Sequence, residues 1–162
     1  MRRFALPIAL LMSANAHSSD LSSPNAKTSV IFASVEEALA TSDAIDLMSV
    51  DPRISFRANL DPVDLGAVAK HVRISSIDLA KWKIVSDGIK SLTPGSTNSV
   101  IPDVRIGVIF YRKGAPIFSL FAEQPYGPQP WSAASVPAYL NGKKVSISTS
   151  ALSKILSLGP KH

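Results

Sequence analysis

Two carboxylates, Asp51 and Asp103, stand at the ends of segments that read as strands, a place from which a catalytic carboxylate can face a cleft. Glycoside hydrolysis needs little more than two such groups at the right separation, one to protonate the leaving oxygen and one to activate water or attack the sugar. Each carboxylate also has a local explanation. Asp51 belongs to a turn with Pro52, and Asp103 pairs with Arg105 or caps its strand.

Other catalytic chemistry lacks its residues. Nucleophilic catalysis needs an activated Ser, Cys or Thr beside a base, and the chain has no cysteine, no G-x-S-x-G elbow and no S-x-x-K pair. Of three histidines, His17 and His162 lie outside the expected domain core, which leaves His71 as the one placed by the fold. A lone imidazole at a predicted helix end complements the helix dipole or bonds a carbonyl more often than it serves as a base. No short span offers zinc more than one strong ligand. Asp61 and Asp64 are accounted for as helix-capping residues, and no glycine-rich phosphate loop follows a strand. The sequence therefore assigns no catalytic residue, no metal site and no cofactor.

Binding residues are easier to name. Glu123 to Pro137 reads as a long connection holding Pro125, Pro128 and Pro130 around Tyr126 and Trp131, with Tyr139 following at the edge of a hairpin. Long loops in compact domains are often functional, and proline lowers the entropy lost when an aromatic ring is presented to a partner. Such rings stack on sugars or anchor protein interfaces. The competing structural role for Trp131 is a lid folded back over the sheet edge or the core.

The elements that must position these groups follow a leader. Arg2 and Arg3, the apolar run Phe4 to Met12 and Ala14-Asn15-Ala16 have the order of a cleavable signal peptide ending near Ala16, which predicts a periplasmic or secreted bacterial protein. The apolar run is about half of what a bilayer-spanning helix needs. His17 to Thr28 has no apolar period and reads as a Ser-rich flexible leader, and residues 29–162 read as a single domain. With no disulfide to staple it, that domain must hold itself by its core. The formal charge of +5 includes Arg2 and Arg3, and the remaining cations are scattered, so nucleic acid is not an expected partner.

Within the domain, Val30–Phe32 reads as a short strand and Ser34-Val35-Glu36-Glu37 as a capping box opening a helix to about Ala40. Ala44 to Val50 reads as a strand covered on both faces, and Ile54 and Phe56 as a further extended piece. Asp61-Pro62-Val63-Asp64 starts a helix whose apolar side is Leu65, Val68, Ala69 and Val72; Ser75-Ser76-Ile77-Asp78 starts the longest helix, with Leu79, Trp82, Val85, Ile89 and Leu92 on one stripe. Gly88 on that helix suggests close packing against a neighbour. Thr93 to Pro102 reads as a loop. Val104 to Tyr111 and Ile117 to Ala122 form a hairpin through Arg112-Lys113-Gly114, and Asn141-Gly142 closes a second hairpin. A capped helix from Ala151 to Leu156 ends before Gly159-Pro160. The fold class is α+β: a single antiparallel or mixed sheet, built largely from two C-terminal hairpins, against helices on one face.

The expected function is that of an exported, non-catalytic binding module whose partner is another exported or envelope protein, inhibitor-like or immunity-like. A small envelope hydrolase using Asp51 and Asp103 is the rival, and an adaptor without a defined pocket is the third reading.

Overall fold

Alternation with a period of two dominates the second half of the chain, and each alternating run becomes a strand. A computed structural model describes residues 33, 35–56, 58–95, 103–123 and 133–161. The expected signal peptide, the Ser-rich leader, the strand at residues 30–32 and the capping Ser34 lie outside the described residues, as do Tyr126 and Trp131. Residues 35–41 are helical (α1), followed by β1 (Ala44–Ser49), α2 (Pro62–Val68), β2 (Lys70–Ser75), α3 (Leu79–Lys90), β3 (Thr93–Pro94), β4 (Val104–Arg112), β5 (Ala115–Glu123), β6 (Ser135–Leu140), β7 (Lys143–Ser148) and α4 (Thr149–Leu156). The strands form a single sheet in the order β2-β1-β4-β5-β6-β7-β3, antiparallel at every junction. This is the α+β fold expected from the sequence, with both C-terminal hairpins in place.

Turn chemistry sets the two hairpins. Lys113 and Gly114 have φ of 52° and 80°, and Asn141 and Gly142 have 45° and 76°, the paired positive dihedrals that match the twist of the strands they join. Glycine takes the second position of each without a Cβ penalty.

The main core lies between one sheet face and α1, α3 and α4. Ile45, Leu47, Val108, Phe110, Leu120 and Ile147 from the strands meet Val35, Ala38, Val85, Ile89, Leu152 and Ile155 from the helices. Phe110 is the hub of the aromatic contacts, edge-on to Trp82 at 6.3 Å and to Phe118 at 5.4 Å. Gly88 does mark close packing: a Cβ there would stand 2.7 Å from Ile155 Cδ1, so Ile155 would have to shift to admit a side chain between α3 and α4. Gly88→Val is expected to overpack this contact and lower stability by about 1–3 kcal/mol, read from the urea midpoint. An unchanged midpoint would show that α4 yields freely.

Several local expectations change. The helix begun by Asp61, whose carboxylate accepts from Val63 N and Asp64 N, ends at Val68, and Lys70–Ser75 run on as strand β2. Val72 fits both a helical stripe with Leu65 and an alternating run with Ile74, and pairing with β1 decides for the strand. His71 consequently sits exposed on a strand and not at a helix end. The long helix is capped by Asp78, which accepts from Lys81 N, so it begins after Ser75-Ser76 and leaves Leu79 in solvent. Ile54 and Phe56 join no ladder, whereas Thr93–Pro94, expected in a loop, pair with β7.

A smaller second core occupies part of the opposite face. Val50, Leu60, Leu65 and Val104 cluster there, with Phe56, Ala69, Phe121 and Tyr139 packed around them. The segment from Val50 through α2 therefore folds across the sheet face that the other three helices leave uncovered.

Candidate functional site

Strand alternation puts Phe121 and Glu123 of β5, Pro137 and Tyr139 of β6, and Lys144 and Ser146 of β7 on this second face. Register makes them neighbours: Phe121 opposes Tyr139, Tyr139 opposes Lys144, and Pro137 opposes Ser146. The second core reaches only as far as Phe121 and Tyr139. Beyond it lies an open cleft of about 390 Å³, lined among others by Glu123, Ser135, Pro137, Tyr139, Lys144 and Ser146.

An aromatic ring, a carboxyl group and an ammonium thus line one concavity. Tyr139 and Glu123 line the cleft together, and burial, followed by the charge of Glu123, pushes the phenol up. The Glu123 carboxyl is itself pushed up, first by burial and next by the negative charge of Asp103, against the lowering influence of Tyr139 and Lys144. Because the folded protein holds this proton more tightly than the unfolded chain, Glu123 favours folding below its ordinary value of 4.5, and that contribution is lost as pH rises through the raised folded value. Glu123→Gln cannot titrate, so it is expected to gain on the wild type in urea midpoint as pH climbs from about 4 to about 7. A constant difference between the two proteins over that range would refute the shift.

Asp103 is an anchor. Its two oxygens accept from Arg105 Nε at 3.1 Å each, Oδ2 accepts from Nη2 at 2.8 Å, and Oδ1 accepts from Leu60 N at 3.0 Å. Arg105 also donates from Nη1 to the Ile54 carbonyl at 3.1 Å and places its guanidinium 4.9 Å from the centre of the Phe56 ring. One ion pair therefore ties Ile54, Phe56 and Leu60 to β4 and holds the second core beside the cleft. Asp51 is engaged in its turn by Arg53, which donates to it from the backbone N, Nε and Nη2. Neither Asp51 nor Asp103 lines the cleft. Farther along the same face, Arg73 donates to Asp46 at 3.2 Å and lies 4.7 Å from the Tyr111 ring centre, a cross-strand brace for β2, β1 and β4.

Of the three aromatic residues singled out from sequence, Tyr139 lies in the cleft, while Tyr126 and Trp131 belong to residues 124–132, outside the described residues, which follow directly on Glu123. Glu123 and Lys144 were not singled out. Alternation places each on a face, but only the β5-β6-β7 register makes them share a concavity. Among the described residues no group of three or more His, Cys, Asp or Glu side chains is arranged to hold a metal ion.

No family model, no curated protein and no solved structure matches the chain. Its function has to be argued from this site.

Proposed function

We propose that this chain is an exported binding protein that engages another exported or envelope protein, inhibitor-like or immunity-like in its action, through the cleft on the second sheet face. The observation that carries the reading is the open strip holding Tyr139, Glu123 and Lys144 side by side: an amphipathic ring flanked by an acceptor and a cation, the mixture that fixes the orientation of a partner. The carboxylates best suited to hydrolysis, Asp51 and Asp103, are each gripped by an arginine, which favours binding over catalysis. The Pro-rich residues 124–132 begin at the cleft lining, so Tyr126 and Trp131 are tethered within a few residues of it. Export rests on the leader, with cleavage near Ala16.

The test is site-specific photocrosslinking in the native envelope, with the reactive side chain at position 139 or, as a control, at exposed Asp87 on α3. A discrete adduct is expected from position 139 alone, competed away by unlabelled protein but far less by Tyr139→Ala or Trp131→Ala. Equal adducts from both positions would remove the cleft as the contact. Amino-terminal sequencing of the native protein is expected to start at His17, and a start at Met1 would remove export.

A further inference from the structure

One end of the molecule exposes large apolar side chains beside unpaired cations. Ile77 is 87% and Leu79 75% exposed, both where the chain passes from β2 into α3. Asp43 brings this turn against the β4-β5 turn: its carbonyl accepts from Ser76 N at 3.0 Å, and its carboxylate accepts from Lys113 N at 2.6 Å. The turn that carries Ile77 and Leu79 and the turn that carries Arg112 and Lys113 therefore share one end of the molecule. The side chains of Arg112 and Lys113 make no ion pair among the described residues. The acidic groups at this end are already engaged: Asp43 with the backbone of Lys113, and Asp78 as the α3 cap and as the partner of Lys81 at 2.8 Å.

The end also projects. β6 pairs only with Leu120–Ala122 of β5, and its turn stops beside Ser119, where Asn141 N donates to the Ser119 carbonyl at 2.9 Å. The β4-β5 hairpin continues past that level to its tip at Lys113 and Gly114. Exposed apolar side chains and cations on two adjoining turns at one end of the molecule, with the nearby acids engaged, fit a surface that is apolar beneath and negative on top. Such a surface is an anionic bilayer, whose headgroups attract lysine and arginine while its acyl boundary accepts leucine and isoleucine.

The geometry points to a peripheral membrane-docking site: Ile77 and Leu79 insert at the interface of an anionic lipid surface while Arg112 and Lys113 contact its headgroups. Two apolar side chains and two cations make a superficial, reversible contact. It does not depend on the cleft, which lies on a sheet face and not at this tip.

Co-sedimentation of the purified protein with vesicles tests it, using phosphatidylglycerol mixed with phosphatidylcholine against phosphatidylcholine alone. Binding is expected on the mixed vesicles only, weakening as salt rises. Ile77→Ser with Leu79→Ser, and separately Arg112→Glu with Lys113→Glu, are each expected to weaken it by about tenfold or more, since a single cation near such a surface is worth about fivefold. All four side chains are exposed, so circular dichroism should stay unchanged, and Tyr139→Ala should bind vesicles as the wild type does. No sedimentation, equal sedimentation on both lipids, or full binding by either double variant would overturn the proposal.

Discussion

Asp103→Ala is expected to lower the unfolding free energy by about 3 kcal/mol, near the lower end for breaking a buried ion pair, because its side chain retains 18% exposure. The loss comes less from the attraction removed than from the charge left behind. Arg105 is only 8% exposed, and without Asp103 its Nε and Nη2 lose their acceptor while Leu60 N loses its own. Urea unfolding measures the change. Replacing both partners, Asp103→Leu with Arg105→Met, is expected to recover much of it, since no charge is then stranded in the second core. A double variant as unstable as Asp103→Ala would mean that the hydrogen bonds to Leu60 and Ile54 matter more than the charge. Removing Asp103 also withdraws one of the two causes that raise the Glu123 carboxyl, so the pH response of the cleft should shrink with it.

Phe110→Ala should cost more, about 3–5 kcal/mol. Its ring is fully buried in the longest hairpin and touches an aromatic ring on each side, so truncation opens a cavity between the sheet and α3 that Trp82 and Phe118 cannot both close. Phe110→Leu keeps most of the volume and is expected to lose well under half as much. The two urea midpoints are the measurement, and a Phe110→Ala loss below about 1 kcal/mol would mean that the core collapses into the space.

Much of the architecture was legible residue by residue. Asp61-Pro62 opening a helix, a capped last helix, the Asn141-Gly142 turn and the crowded Gly88 each act within a few residues or announce their cost directly, and all are found where expected. β2 was not legible, because Val72 satisfies two periods and only the neighbouring strand β1 chooses between them. β3 is too short to carry a pattern, and it exists because β7 offers it an edge. The site divides in the same way. Tyr139 stood out by its type and its place at a hairpin edge, whereas Glu123 and Lys144 look like ordinary strand-end charges until register aligns them.

By itself, the amino-acid sequence determined the α+β class, the two hairpins, the Asp61-Pro62 start of α2 and the absence of any thiol, since these depend on dihedral preferences, periodicity and residue inventory. Tertiary structure decided that the segment from Val50 through α2 crosses the second sheet face, that Asp103 serves as a clip for it, and that Asp43 ties the β2-α3 turn to the β4-β5 turn. Those outcomes rest on which strand edges pair and which apolar faces find cover, and such choices are made between residues far apart in the chain, where local propensity has no influence.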